Sequence, residues 1–267
     1  MINQSSIDSV RKAITKNKLA QNDYGKFSAD YIKTMDELSV KYRNVRWLPL
    51  DVPKFEFDNL NEFLELWQKE CIDILRVKPC SAEPWTKDSH PLGKYSNYYK
   101  AQFKGLHFYT RNLESLDADD KGIWTLKYLE HKMFQKIIDQ MIEYLPFKEI
   151  LYAKILESVR PVYPHRDQTY FWNCPTEFRI MLNDDNSEPT LYVADIEHGD
   201  AHFIDIRNLD TNAICWSNGS QIHGSNYKGN SKHLVVIHGM LDPGKLESLV
   251  DRSIVKYKNK LNYNLEI

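Results

Sequence analysis

The sequence predicts a mainly β fold with flanking helices, an α+β protein whose core is an antiparallel barrel or jelly roll. Six segments rich in β-branched and aromatic residues follow one another from Ile150 onward: ILYAKILES, EFRIML, TLYVAD, AHFIDI, NAICWS and KHLVVIHG. Each segment has the length of a strand and is bounded by turns, and no helical pattern separates one from the next. This order favours antiparallel pairing over a parallel sheet of βαβ units.

Two apolar patterns with a helical period precede the strands. The first starts at Leu60 and ends before Pro79, with apolar residues at Phe63, Leu64, Trp67, Cys71, Ile74 and Leu75. The second runs from about Gly122 to Leu145 and stops at Pro146. Residues 81–112 between them are rich in turn formers and aromatic residues, so we expect a loop with short strands there.

A third helical pattern lies near the end of the chain, at Leu246, Leu249, Val250 and Ile254. Such a helix usually docks on its own core, and a dimer contact is the alternative. We interpret all 267 residues as a single domain with three parts. Residues 1–149 are helix-rich, pack on the core and shape the substrate site; residues 150–243 form the strand-rich core; residues 244–267 form a helical tail.

The composition excludes several classes of protein. Thirty-five Lys and Arg residues against 37 Asp and Glu residues give a net charge of -2, without the broad positive field of a nucleic-acid-binding protein. No segment is apolar over the length that a bilayer requires, and the first residues contain no signal-peptide core. Four cysteines without CxxC spacing are typical of reduced structural thiols. We therefore expect a cytoplasmic protein without a nucleic-acid or membrane partner, and its oligomeric state stays open.

A histidine and a carboxylate stand two residues apart in the extended segment PVYPHRDQTYFWN, at His165 and Asp167. Residues two apart in a strand share a face, so both side chains can face one metal ion. A second pair, His198 and Asp200, flanks Gly199 between two strand-like segments. This second pair predicts a hairpin turn rather than a metal site.

A third potential ligand, His223, follows in SNGSQIHGSNY after several predicted strands, which can bring it back across the barrel. Two imidazoles and one carboxylate leave three coordination positions open, the arrangement suited to non-haem Fe(II) and O₂ chemistry. A closed structural zinc site would need a fourth protein ligand. 2-Oxoglutarate would fill two of the open positions if a cation held its far carboxylate, and Lys232 at the start of KHLVVIHG is the candidate.

From about Ile150 to Pro243 the chain resembles the Fe(II)/2-oxoglutarate-dependent dioxygenases. The likeness is to the aspartyl/asparaginyl β-hydroxylase-like branch, which includes small free-proline hydroxylases. Four motifs occur in the family's order: a strand ending in PHRD, the arginine-bearing strand FRIML, the segment AICWSNGSQIHGSN, and the apolar strand KHLVVIHG with a basic residue at its start.

The resemblance implies a double-stranded β-helix core of the jelly-roll or cupin-like kind. It implies that His165, Asp167 and His223 bind Fe(II), that Lys232 takes the place of the family's usual 2-oxoglutarate arginine, and that Arg179 engages a substrate carboxylate. The implied reaction hydroxylates a C–H bond of an amino acid or peptidyl side chain, with O₂ and 2-oxoglutarate consumed and succinate and CO₂ released. The substrate and the oxidised carbon are not implied.

Two other classes of function stay open from the residues alone. One is a cupin-like metalloprotein with isomerase or hydrolase chemistry. The other is a non-catalytic β-sandwich binding module that uses Tyr170, Phe171 and Trp172 as a recognition surface. The remaining histidines that lack a partner at chelating spacing are interpreted as structural or surface residues; they are His90, His107, His202 and His238. His233 is expected on the opposite side of its strand from Lys232.

Overall fold

The computed structural model describes most of the second half of the chain and parts of the first. The described residues are 27–57, 61–62, 65, 78–79, 102–110, 132–158, 162–165, 172, 174–182, 189, 191–195, 201–217, 221–225 and 232–265. Within these ranges no helix is long and apolar enough to cross a membrane.

The described residues contain eleven strands, numbered β1 to β11 in chain order. They are Trp47–Pro49 (β1), Lys78–Pro79 (β2), Gln102–Thr110 (β3), Phe147–Ser158 (β4), Val162–His165 (β5), Glu177–Met181 (β6), Leu191–Asp195 (β7), Ala201–Phe203 (β8), Ala213–Trp216 (β9), Gln221–Ser225 (β10) and Lys232–Leu241 (β11). All six segments that the sequence predicts to be strands are confirmed, as β4, β6, β7, β8, β9 and β11.

The strands form two antiparallel sheets. The larger has seven strands in the order β1-β9-β6-β11-β4-β3-β2, and the smaller has four in the order β5-β10-β7-β8. Several neighbours, such as β5 and β10, are far apart in sequence, so the chain passes repeatedly between the sheets rather than forming a meander.

The expectation of a loop with short strands over residues 81–112 is confirmed in part by β3, although this strand is longer than expected, with nine residues. A register shift between His107 and Tyr109 explains why the full length of this strand does not show in the sequence pattern. Such an irregularity displaces the two-residue alternation by which a strand is recognised. The larger sheet therefore includes strands from the part of the chain that the sequence predicts to be helix-rich.

The described residues contain three α-helices of thirteen or more residues: Ala29–Lys41 (α1), Lys132–Tyr144 (α2) and Pro243–Tyr257 (α3). The oxygen of Ser28 caps α1 by accepting a hydrogen bond from the amide of Tyr31 at 3.1 Å. Asp242 caps α3 in the same way, accepting from the amide of Lys245 at 3.0 Å. These bonds satisfy amides that have no partner inside the helix.

The predicted helix at 122–145 is confirmed over α2, and its earlier part lies outside the described residues. The helix predicted from Leu60 also lies largely outside them, although residues 61, 62 and 65 are helical. In the tail, the predicted apolar residues are all buried in the core cluster; they are Leu246, Leu249, Val250 and Ile254. The helix thus docks on its own core, as the sequence favoured.

The two faces of the larger sheet have different partners. Residues in register on adjacent strands share a face, so Phe178 and Cys215 lie on one face, and Trp216 and Ile214 on the other. The first face belongs to the main core cluster together with residues of all three helices. The second packs with Val193 of β7 in the smaller sheet. The protein is therefore a sandwich of two sheets with helices on its outer side.

A segment after α3 joins the edges of both sheets. Asn262 accepts a hydrogen bond from the indole of Trp47 in β1 at 3.2 Å and donates one to the carbonyl of Phe203 in β8 at 2.7 Å. The hydroxyl of Tyr263 donates to the carbonyl of Trp47 at 2.5 Å. Because β1 and β8 are edge strands, these bonds satisfy edge groups and close that side of the sandwich.

Candidate functional site

The region between the two sheets, where Trp216, Ile214 and Val193 pack together, is called the sandwich interior below. Strand β10 belongs to the smaller sheet, on one side of the sandwich interior. His223 of β10 is the direct register partner of Val193 on β7, so it lies on the face of the smaller sheet that looks into the sandwich interior. The ring of Trp216 from the opposite sheet lies 5.6 Å from the His223 ring, centroid to centroid. His223 is buried, with 7% of its surface exposed.

His165 lies beside His223. It is the last residue of β5 and the direct register partner of His223 on β10. Directly opposed residues of an antiparallel pair have Cβ atoms about 4.5–5.5 Å apart and share a face. Two sequence-predicted ligands from segments far apart in the chain are thus brought together at the sandwich interior.

The third predicted ligand, Asp167, lies outside the described residues, as does the side chain of His165. Among the residues that the structure does describe, no group of three or more His, Cys, Asp or Glu side chains is placed to hold a metal ion. Two histidines at directly opposed positions on adjacent strands are donor types that suit an Fe(II) centre, which also takes an oxygen ligand and keeps open positions.

Arg179 lies on the wall of the larger sheet that faces His223. On β6 it is in register with Ile214 of β9 and Val236 of β11, so it shares the face of Ile214 that looks into the sandwich interior. Only 11% of its side chain is exposed. From the sequence we expect an anion from outside the chain at this position, namely a substrate carboxylate.

The structure supplies an anion from the chain itself. Glu177, two residues before Arg179 on the same face of β6, is fully buried, and its Oε1 lies 2.5 Å from Nη2 of Arg179. The guanidinium carbon also lies 5.2 Å from the centre of the Trp216 ring. Burial of the guanidinium is therefore compensated by an internal ion pair and a cation–π contact, and a substrate carboxylate is not required for it.

Lys232, the predicted 2-oxoglutarate anchor, is the first residue of β11 and the register partner of Ser158 on β4. Its side chain lies outside the described set. By the two-residue period of a strand, position 232 belongs to the same alternating set as Leu234 and Val236, the set in register with Arg179. Its neighbour His233 alternates with Val235 and Ile237, which belong to the main core cluster on the other face. The predicted opposition of Lys232 and His233 is thus borne out by strand register.

The other residues considered in the sequence take structural positions where they are described. Cys174 and Cys215 are free, fully buried thiols. Burial raises the pKa of Cys174 to about 12 and also raises the pKa of Cys215, so neither is a thiolate at neutral pH. His202 forms a short hydrogen bond with Arg46, and its ring lies 5.7 Å from the ring of Tyr263.

The binding-module alternative requires an exposed aromatic surface made of Tyr170, Phe171 and Trp172. The structure describes one of these residues, Trp172, and it is not fully exposed. Trp172 is half-buried and packs edge-on against Phe27 and Tyr31, with ring centroids 5.5 and 5.8 Å away. Tyr170 and Phe171 lie outside the described residues. The pair His198 and Asp200 also lies outside them, and the strands on either side, β7 and β8, pair antiparallel as a hairpin requires.

Sequence reasoning missed two residues of the sandwich interior. Glu177 had an available signal, because a carboxylate and a guanidinium two residues apart in a strand share a face. Trp216 had none, because an aromatic residue in an apolar strand is ordinarily a core residue. Its contacts with Arg179 and His223 depend on how the two sheets stack.

Comparisons with known proteins give likeness at the level of structure alone. No family model matches the sequence, and no curated protein matches it. One similar structure is a prolyl hydroxylase of Trichoplax adhaerens in complex with a hypoxia inducible factor peptide, with 10% identity, 84% of this chain and 97% of that chain covered, and a TM-score of 0.38.

Two other similar structures come from bacteria. A Pseudomonas putida prolyl-4-hydroxylase has 9% identity, covers 76% of this chain and 96% of its own, and gives a TM-score of 0.39. A Burkholderia pseudomallei oxidoreductase of the 2OG-Fe(II) oxygenase family has 14% identity, covers 78% and 93%, and gives a TM-score of 0.39. These likenesses are distant, and the proposal below rests on the geometry of the sandwich interior.

Proposed function

We propose that the protein is a non-haem Fe(II)/2-oxoglutarate-dependent oxygenase that hydroxylates a C–H bond of an amino acid or peptidyl side chain. The observation that carries the proposal is the direct register pairing of His165 and His223 across β5 and β10. In the proposed fold, the two antiparallel sheets are the halves of a double-stranded β-helix, and the metal lies between them against the smaller sheet.

His165, Asp167 and His223 are the proposed iron ligands. Asp167 follows His165 by two residues, so an extended backbone would place its carboxylate on the same face. Burial of His223 and its contact with the Trp216 ring restrict the movement of the imidazole, which helps to hold a ligand in place before metal binds. When bound, Fe(II) with 2-oxoglutarate and O₂ supplies the oxidation, in which substrate C–H becomes C–OH and 2-oxoglutarate becomes succinate and CO₂.

Lys232 and Arg179 have proposed roles in binding. Lys232 is proposed to hold the far carboxylate of 2-oxoglutarate, because it is the first residue of β11 and belongs to the alternating set of positions in register with Arg179. A lysine combines an apolar stem with an ammonium that pairs with an anion. Arg179 contacts the substrate. The apolar residues Val193, Ile214 and Trp216 exclude water from the sandwich interior, which strengthens the electrostatic contacts that orient the ligands.

Anaerobic reconstitution tests the proposal. The protein is loaded with Fe(II) and 2-oxoglutarate, then exposed to O₂ with a panel of amino acids and short peptides. Succinate formation stimulated by one substrate class, with a gain of one oxygen atom in that substrate, is the expected result. Metal binding without any succinate favours the cupin-like alternative, and failure to bind metal at all favours the binding module.

A further inference from the structure

The pairing of Glu177 with Arg179 bears on what the site binds. The two residues lie on one face of β6, and the carboxylate is fully buried at 2.5 Å from Nη2. An arginine is protonated at every accessible pH, and a guanidinium at this distance favours the ionised form of the carboxyl, so the two charges offset each other within an ion pair. Because Glu177 offsets the charge of Arg179, this arginine differs from one whose charge is balanced only when an anionic ligand binds.

One end of the guanidinium retains donors. Glu177 contacts Nη2, and the ring of Trp216 lies 5.2 Å from the central carbon. Nη1 is buried and has no hydrogen-bond acceptor among the described residues. A buried donor without an acceptor is costly, so a ligand oxygen at Nη1 would recover a hydrogen bond that the folded chain lacks.

The charge of that ligand oxygen matters. A carboxylate at Nη1 would place a second anion on a guanidinium already shared with Glu177, inside a poorly solvated space where two carboxylates repel. A neutral carbonyl oxygen accepts the same hydrogen bond and adds no charge. The proposed Fe(II), Asp167, 2-oxoglutarate and Lys232 together also carry no net charge, so this set does not compensate an added anion.

We infer that the group recognised by Arg179 is a neutral amide carbonyl, which makes the substrate a peptide or an amino acid amide rather than a free α-carboxylate. This inference rests on the proposed function, because it assumes that the sandwich interior takes a substrate. Glu177 is then a specificity-determining residue. It holds the guanidinium in place and determines the charge of the group to which the guanidinium donates a hydrogen bond.

Matched probes test this preference by binding rather than by turnover. Each N-acetyl-L-amino acid is compared with its N-methylamide by calorimetry, under argon, on the protein loaded with Fe(II) and 2-oxoglutarate. In the best-bound pair, the amide should bind about tenfold or more tightly than the acid, and Glu177→Gln should reverse the order, because the guanidinium then lacks an anion. Tripeptides with the same residue in the middle separate a peptide substrate from an amino acid amide.

A second measurement covers the case in which Glu177→Gln does not fold well. Formate should raise the melting temperature of Glu177→Ala in the absence of metal, because it replaces the missing carboxylate at Arg179, and sodium chloride at equal ionic strength should not. The wild-type protein and Glu177→Ala/Arg179→Gln should show no formate-specific effect. These controls separate occupation of Arg179 from a general effect of anions.

Three experimental results would overturn the inference that Arg179 recognises a neutral amide. Tighter binding of the acid than of the amide to the wild-type protein would overturn it, as would an unchanged order in Glu177→Gln or the absence of formate rescue. The proposed function fails separately, if no substrate stimulates succinate formation. Tighter binding of amides without any succinate formation would therefore support amide recognition by Arg179 and contradict the oxygenase function.

Discussion

His165 and His223 face each other directly across the β5–β10 pair of the smaller sheet. The two strands are far apart in sequence, so their register is a product of the whole fold rather than of a local turn. His223 is also the register partner of Val193, which packs against the larger sheet. His223 therefore lies on the inner face of the smaller sheet, and His165 occupies the strand position opposite it.

Loss of either histidine should remove metal binding from a folded protein. We expect His165→Ala and His223→Ala each to weaken Fe(II) affinity by about a hundredfold or more, since loss of an outer-shell partner alone costs roughly 10- to 100-fold. Anaerobic titration with Fe(II) measures the affinity, and circular dichroism checks folding.

His202→Ala is the matched control for this experiment. His202 is a histidine of the same sheet, two strands away from His223, and it contacts Arg46 and Tyr263 instead. It should keep wild-type metal affinity. Equal loss of metal in His202→Ala and His223→Ala would show that the site is elsewhere.

Lys232 should determine the affinity for 2-oxoglutarate. A charge-assisted hydrogen bond contributes roughly 1.5–3 kcal/mol, so Lys232→Ala should raise the 2-oxoglutarate dissociation constant by about ten- to a hundredfold. Calorimetry under argon on the Fe(II)-loaded protein measures it. The exposed Lys245 provides the control, since Lys245→Ala should leave the constant unchanged. A constant unaffected by Lys232→Ala would place the anchor on another residue.

The strand content of the second half was predictable because strands there carry dense β-branched and aromatic residues. The failures have local causes. Strand β1 has only three residues, too few to show a period, and β3 contains the register shift between His107 and Tyr109. Both strands belong to the first half, which otherwise shows helical patterns.

The candidate site was predictable in composition more than in geometry. Chain order placed His165 and His223 on separate strands, but only the β5–β10 register brings them face to face. For Arg179 the physical argument was sound, because a buried guanidinium does need an anion. Glu177 provides one anion from the chain itself, and the predicted contact of Arg179 with a substrate stays a prediction. A strand's inward face is uncertain by one residue from sequence alone, so the pairing could not be fixed in advance.

Tyr257 and Asp210 should make stability depend on pH at both extremes. The Tyr257 hydroxyl donates to Asp210 at 2.6 Å. Burial, followed by this bond, raises the pKa of Tyr257 from 10.0 to about 12. Hydrogen bonds from Tyr257 and Lys256 lower the pKa of Asp210 from 3.8 to about 2. The neutral phenol of Tyr257 thus makes its full contribution to stability below pH 10, and this contribution is lost as the pH rises towards 12. The ionised carboxylate of Asp210 makes its full contribution to stability above pH 3.8, and this contribution is lost as the pH falls towards 2.

Tyr257→Phe should therefore begin its acid unfolding at a higher pH than the wild type and lose less stability between pH 10 and 12. Urea denaturation across the pH range measures both limbs. Tyr263→Phe is the control, because its hydroxyl donates to the Trp47 carbonyl and to no carboxylate in the part of the chain that the structure describes. It should change only the alkaline limb. Coincidence of the acid limbs of Tyr257→Phe and the wild type would contradict the assigned role of the Asp210 bond.

Gly239 lies where β11 shifts register against β4, and a side chain there should not be tolerated. A Cβ at this position would collide with the carbonyl oxygen of Glu149 and would lie 2.8 Å from Cδ1 of Phe147 and 2.9 Å from Cα of Ile150. Two of these three atoms belong to the backbone of the interior strand β4, so they cannot move without disturbing the sheet. Gly239→Ala should lower the free energy of unfolding by about 1–3 kcal/mol or more.

Gly244→Ala provides a control of opposite sign. Gly244 lies in the first turn of α3, where the nearest atom to an added Cβ is Oδ1 of Asp242 at an ordinary 3.5 Å. Because alanine reduces the freedom of the unfolded chain, Gly244→Ala should stabilise by about 0.4–1 kcal/mol. Urea denaturation of the three proteins measures the difference. Equal stabilities for Gly239→Ala and the wild type would show that β11 and β4 can separate at this point, and the close approach of their backbones would then not be a requirement of the fold.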